Sequence, residues 1–271
     1  MSVIKGARER ARIEVTAAIK QEASKQLAAE GAARLSLRAV ARELGMVSSA
    51  LYRYFPSRDE LLTALIIDAY DAIGAAAERA LAGTDGEPPV DRWVAVCRAV
   101  GSWAVAHPHE YALIYGSPVP GYTAPEDTVG PASRAAFALI TIVRDAHRDG
   151  LLQPPPGRPL AAPVRADAAR LAAEIAPELP IPTIAAIVAV WAQLFGVISF
   201  EVFGQFNRMI DARREFLDQA AAGLALQVGL GAAESPAEAT TEATAATTGD
   251  TATTEDTTAP APAPDGVLRS K

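Results

Sequence analysis

Cysteine is almost absent from this chain. A single thiol, Cys97, among 271 residues excludes an intrachain disulfide and a cysteine-built zinc site. It stands at helical spacing between Trp93 and Gly101, the setting of a small buried residue. Histidine is nearly as scarce, with three in all. His107 and His109 beside Glu110 are metal-type ligands, but their spacing is compact, no further histidine lies near, and His147 stands alone, so no metal site is expected. No Gly-x-Ser-x-Gly elbow frames a Ser-His-Asp nucleophile. No glycine loop cradles a phosphate. The expectation is therefore a protein without enzymatic activity or cofactor. No apolar run reaches membrane-span length without a charge or a proline, and no apolar signal core follows the opening MSVIKGARERAR. Cytoplasmic residence without a membrane partner is expected. Strand-type alternation is also missing, which points to an all-α fold.

What is present is alanine-rich helix and an uneven charge. Half of the residues are hydrophobic, enough for a sizeable helical core. The net charge is −7, yet residues 1–60 hold eleven Lys and Arg against seven Asp and Glu, a net of +4, which leaves −11 for the remainder. A basic end on an acidic body is compatible with binding a polyanion, because phosphate needs a local basic surface rather than a basic protein.

The most informative stretch is 35–55, LSLRAVARELGMVSSALYRYF. Ser36 has the position of an N-cap. Leu37, Val40, Ala41 and Leu44 follow at helical spacing, and Gly45 supplies the positive φ of a turn. Ser48 or Ser49 is placed to cap a second short helix, which Leu51 and Phe55 lock onto the first. Ser49, Ala50, Tyr52, Arg53 and Tyr54 are left for its outward face and flanks. Arginine forks onto guanine or phosphate, tyrosine donates to phosphate oxygens, and alanine touches a thymine methyl. The layout is a helix-turn-helix. Ser57 and Glu60 then have capping-box spacing, so another helix begins with Arg58 beside its free N–H groups, a setting that favours phosphate. Lys5, Arg8, Arg10 and Arg12 form a basic arm that either adds phosphate contacts or is simply solvated.

LSLRAVARELGMVSSALYRYFPSRDELLTAL is similar to the DNA-binding domain of the TetR family of bacterial transcriptional regulators. The resemblance rests on L-x-x-x-A-x-x-L-G, then S-x-x-L-Y-x-Y-F, then S-R-D-E-L-L. It implies a three-helix head over residues 1–82 that binds double-stranded operator DNA. By position, the family's contacts fall on Ser36, Arg38, Ser48, Ser49, Ala50, Tyr52, Arg53, Tyr54 and Arg58. Ser49 and Ala50 are small, so base readout leans on Tyr52 and Arg53.

Beyond the head, helices are expected over 7–30 (Ile13, Ala17, Leu27 and Ala28 inward), 58–81, 91–107 with Asp91 as cap, 108–116, 131–149, 165–176, 183–203 with Thr183 as cap, and 207–228 with Asn207 as cap. Proline and glycine mark breaks at 83–89, 117–131 and 152–163. Two segments, 103–122 and 191–206, hold most of the aromatic residues. Trp103, His107, Tyr111, Tyr115, Trp191, Phe195 and Phe200 either line a cavity for an apolar or aromatic small molecule or fill a helical core. Here too there is a resemblance, to a C-terminal domain type found on TetR-like heads. It is carried by W-x-x-x-H-P-x-x-Y, Y-G-S-P-V-P-G-Y, W-x-x-L-x-G and E-x-F-G. It implies a ligand-binding and dimerisation domain over 83–230, with the last two long helices paired across a two-fold axis. Ala189, Ala192, Gly196 and Ser199 would then permit close approach, while Leu194, Ile198 and Val202 supply apolar area.

Residues 231–271 are rich in Ala, Thr, Glu and Pro, a composition expected to be disordered. The reading that follows is a homodimeric regulator, a repressor released from a pseudo-palindromic operator by a small effector. An activator, an effector-free regulator, or a protein-interaction module with secondary DNA binding are the alternatives.

Overall fold

The computed structural model describes residues 2–231, the side chains from residue 6 onward, and every regular element among them is helical. The expected disordered tail falls almost wholly outside the described residues. Ten α-helices follow in order: α1 (Ser2–Glu30), α2 (Leu37–Glu43), α3 (Ser48–Leu51), α4 (Arg58–Ala82), α5 (Pro89–Ala106), α6 (Pro108–Tyr115), α7 (Val129–Arg148), α8 (Ala162–Ile175), α9 (Ile181–Val202) and α10 (Arg213–Val228). Short 3₁₀ turns lie at Ala32–Arg34 and Glu126–Thr128.

Local capping chemistry sets the head. The Ser36 hydroxyl accepts the Ala39 N–H at 3.4 Å, and the Ser57 hydroxyl accepts the Glu60 N–H at 3.1 Å. Gly45 turns the chain at φ 64°, a conformation that costs glycine little. The second motif helix departs from expectation. Neither Ser48 nor Ser49 caps it; Val47 occupies the cap position and gives no side-chain bond.

Other helix starts also differ. Pro88 and Pro89 open α5, so Asp91 lies inside its first turn. Pro180 precedes α9, and Thr183 is buried in the helix rather than capping it. Proline fixes φ near the helical value and lacks the N–H that a first turn leaves unpaired, so it starts these helices ahead of the polar residue. The last helix begins at Arg213, and Asn207 instead accepts from the Arg213 guanidinium at 2.7 Å.

Two hydrophobic cores form. The smaller gathers Ile19, Ala23, Leu27, Val40, Leu51 and Phe55 with Leu61, Leu62, Leu65 and Ile66 of α4. The larger takes Ala69, Ile73 and Ala77 of the same α4, with α5 and α7 to α10 around it. Each fully buried leucine or isoleucine here contributes about 1.5–3 kcal/mol. In α1 the inward face differs from expectation. Ile13 is 60% exposed and Ala17 and Ala28 are exposed, while Ile19 and Ala23 are fully buried beside Leu27. The fully buried contacts of α1 with the head come from its second half, with Val15 half-buried against the same core.

Cys97 is buried in the larger core, where desolvation pushes its thiol well above the ordinary range. The body is also tied by ion pairs. Arg98 of α5 forks onto Asp218 of α10 at 2.8 and 2.9 Å, and Arg92 of α5 reaches Asp145 of α7 at 3.0 Å. α9 is as long and apolar as a membrane span. One of its faces enters the larger core through Ile184, Val190, Leu194 and Ile198.

Candidate nucleic-acid interface and ligand cavity

The helix-turn-helix is held from behind. The Gln26 side chain of α1 accepts the Ser36 N–H at 3.1 Å and donates to the Arg34 carbonyl at 3.5 Å. This residue sets the entry to α2, and no sequence signal singles it out. Leu51 and Phe55 are buried as their spacing requires. The backbone of Tyr52, Arg53 and Tyr54 continues the turn of α3, with Tyr54 N–H on the Leu51 carbonyl at 2.8 Å.

On the outer surface stand Arg38, Ser49, Tyr52 and Arg53, with Ser36, Ser48, Ala50 and Tyr54 half-buried. Val47 and Arg42 are exposed beside them. Arg38 and Arg53 form no ion pair among the described residues, whereas Arg42 meets Glu43 at 3.6 Å. The Arg12 guanidinium lies 5.8 Å from the centre of the Tyr54 ring, which carries the basic arm of α1 to the flank of this surface.

Arg58 is tied within the head. Its guanidinium donates to the Ala32 carbonyl at 2.7 Å and to Asp59 at 3.2 Å, joining the start of α4 to the turn after α1. The result is a short helix offered outward, with Tyr52 and Arg53 exposed at its tip and without an ion pair among the described residues.

Comparison with known proteins gives the same answer for both parts of the chain. Residues 19–65 match the family described as bacterial regulatory proteins, tetR family, and residues 93–224 match the tetracyclin repressor-like C-terminal domain. HTH-type transcriptional regulator Rv1816 of Mycobacterium tuberculosis is 41% identical over 203 residues, covering 74% of this chain and 86% of the relative.

The chain belongs to the TetR family.

Among solved structures, regulatory protein SCO4313 is 33% identical with a TM-score of 0.63, over 80% of this chain and 97% of that one. A protein of unknown function from Rhodococcus sp. RHA1 is 25% identical with a TM-score of 0.58, over 77% and 92% of the two chains. As a TetR-family protein the chain is a DNA-binding transcriptional regulator and not an enzyme.

In this TetR-family body the seven aromatic and histidine candidates do not meet in one cavity. Trp103 and His107 stack at 5.1 Å and line a cavity of about 270 Å³ with Lys20, Asp68 and Leu113. Trp191 borders a second, open cavity of about 670 Å³ with Ile66, Tyr70, Leu113, Tyr122 and Ala136. Tyr115 and Phe203 line a third space, of about 1020 Å³, beside Leu27 and Ala32.

Tyr111 and Phe195 are core residues. Tyr111 is fully buried, shares a hydrogen bond with the Ser199 hydroxyl at 2.8 Å and donates to the Phe195 carbonyl at 3.3 Å. Phe195 packs between Tyr115 at 4.2 Å and Trp191 at 4.4 Å. Phe200 is 52% exposed and packs edge-on against Phe206 at 5.6 Å. The buried hydroxyl of Tyr115 has no partner among the described residues, and burial holds its phenol protonated far above the ordinary range.

The candidates on α9 divide by face. Ala189, Ala192 and Gly196 are exposed, and Ser199 and Val202 are half-buried. Leu194 and Ile198 are buried at 0% and 1% in the larger core of the chain itself, so they present no surface for pairing. The apolar area on the exposed side comes instead from Val188 and Phe200, with Phe216 and Leu226 of α10.

Proposed function

We propose that this regulator is a homodimeric repressor that holds a pseudo-palindromic operator and leaves it when a small apolar or aromatic molecule enters the helical body. The observation that carries this reading is the division of α4 between two cores: Leu61 to Ile66 belong to the head, and Ala69 to Ala77 belong to the body. A shift of body helices against α4 therefore moves the head with it. This division supports a functional split into a head over 1–82 and a body over 83–230.

In the head, Tyr52 and Arg53 read base edges, helped by Ser49 and Ala50. Ser36, Arg38, Ser48 and Tyr54 hold phosphates, with Arg12 at the flank. Arg58 acts by positioning. One short recognition helix covers too few bases for specificity, so two copies are needed, one in each of two successive major grooves. The exposed face of α9, with small Ala189, Ala192 and Gly196 flanked by Val188 and Phe200, supports pairing of copies through α9 and α10.

The effector enters the cavity beside Tyr70, Tyr122 and Trp191, where α4 forms one wall through Ile66 and Tyr70. It releases DNA only by binding the non-DNA form more tightly. The protein acts in the cytoplasm, on the nucleoid.

Selection of genomic fragments with the purified full chain tests this reading. Recovery of a short inverted repeat, bound by a dimer and weakened with relaxed base preference in Arg53→Ala, is expected. Recovery of no preferred sequence, with only weak salt-sensitive binding, sinks the operator reading. A molecule that fills the cavity yet leaves operator affinity unchanged sinks the release mechanism.

A further inference from the structure

The body holds another cleft, of about 470 Å³, that shares no lining residue with the three cavities described above. One part of its lining is the loop between α7 and α8, with Pro154, Pro155, Pro156 and Leu160. The other is the start of α9, with Pro180, Pro182 and Thr183.

Three observations fix the chemistry of what fits there. First, the ionisable side chains lining the cleft are His147, Arg158 and Arg165, and no carboxylate lines it. Both arginines are exposed, and neither forms an ion pair among the described residues. Second, Thr183 lines the cleft while only 1% exposed, and its hydroxyl has no hydrogen-bond partner among the described residues. A buried hydroxyl without a partner is costly unless something occupies the space beside it. Third, the cleft lies at the N-terminal end of a 22-residue helix, where the dipole is positive; Pro182 has no N–H and the Ile184 N–H takes the Pro180 carbonyl, which leaves the Thr183 N–H at the cleft without a helical acceptor. These features call for an anion. The prolines and Leu160 call for an apolar stem attached to it.

We infer that this cleft binds a small amphipathic anion, its carboxylate or phosphate head held by Arg158, Arg165 and the Thr183 hydroxyl and its apolar stem laid along the proline loop. The site is independent of the effector cavity beside Tyr70 and Trp191.

Calorimetric titration of the full chain with hexanoate, with hexyl phosphate and with uncharged hexanol tests the assignment. Saturable binding of at least one anion is expected, with hexanol far weaker. The tighter of the two anions identifies the head group. Arg158→Ala with Arg165→Ala removes two charge-assisted contacts on the surface and weakens the anion at least about tenfold. Thr183→Val keeps the shape and removes the orphan hydroxyl. It raises the melting temperature of the free protein and weakens the anion by about tenfold. The assignment is overturned by saturable binding of neither anion, by hexanol binding as tightly as hexanoate, or by anion affinity that is the same in the double arginine variant.

Discussion

The guanidinium of Arg134 on α7 holds the carboxylate of Asp71 on α4 at 2.6 Å. The same side chain forks onto Glu78 at 2.6 and 2.8 Å and lies directly over Gly74 between them. A Cβ on Gly74 would come within 2.6 Å of the Cβ of Arg134. Glycine here permits α4 and α7 to approach, and the ion pairs straddle that closest point. Gly74→Ala is therefore expected to destabilise the protein by about 1–3 kcal/mol through overpacking. Urea unfolding measures it, and an unchanged midpoint would show that the two helices separate at no cost.

Acid should undo one of these pairs. The Arg134 hydrogen bond holds the Glu78 carboxyl below the ordinary carboxylate range, against a smaller opposing effect of burial. A lowered folded-state value means that the stabilisation is present above the unfolded value and is lost as pH falls through the folded one. Wild type should exceed Glu78→Gln in stability at neutral pH, by no more than the worth of a half-exposed pair, about 0.2–1 kcal/mol. The gap should close on acidification. Unfolding both proteins across the acid range checks it; a gap that widens contradicts the assignment.

Arg53 and Arg58 are five residues apart and should behave differently. Arg53 is exposed and unpaired among the described residues, while Arg58 is tied to the Ala32 carbonyl. Arg53→Ala should relax base preference at one operator position, at a cost of about 1–3 kcal/mol. Arg58→Ala should lower the melting temperature of the head and leave the salt dependence of binding nearly unchanged. Binding to the selected duplex and to its single-base variants, at two salt concentrations, separates them; an unchanged base preference in Arg53→Ala beside a reduced salt slope for Arg58→Ala would reverse the roles.

Two substitutions on α9 distinguish its faces. Ala192→Glu, on the exposed side, should leave the fold intact, yield monomers in sedimentation and abolish operator binding. Leu194→Ala, fully buried in its own protomer, should cost about 2–5 kcal/mol of stability. A dimeric Ala192→Glu protein would move the interface elsewhere.

Tyr111 and Tyr115 divide in the same manner. Tyr111→Phe breaks the bond to Ser199 and should cost about 0.5–1.5 kcal/mol without altering ligand binding. Tyr115→Phe removes an unpartnered buried hydroxyl and should leave stability equal or higher. Thermal unfolding of the two variants reads the contrast directly, and a larger loss for Tyr115→Phe would show that its hydroxyl is paired.

The sequence by itself determined the all-helical class, the helix-turn-helix, the Ser36 and Ser57 caps, the turn at Gly45 and the inward pair Leu51 and Phe55. Each depends on partners within a few residues, so chain order alone expresses it. The apolar stripe of α4 from Leu61 to Ile73 was equally legible, because one side of that helix alternates clearly with the other. The tertiary structure decided which faces of the near-uniform helices turn inward. In alanine-rich α1 the pattern hardly distinguishes Ile13 and Ala17 from Ile19 and Ala23, and packing against α2 and α4 made the choice. In α9 every side is apolar, so only the positions of α5, α8 and α10 sent Leu194 and Ile198 inward and left Ala189, Ala192 and Gly196 outside. The same holds for the aromatic residues: proximity in sequence put Trp103, Tyr111 and Tyr115 together, yet helix packing sent one to a cavity wall, one to the core and one to its edge. Long-range contacts such as Arg58 to Ala32, Gln26 to Ser36 and Arg134 to Asp71 have no local signature, because their geometry exists only once the helices have docked.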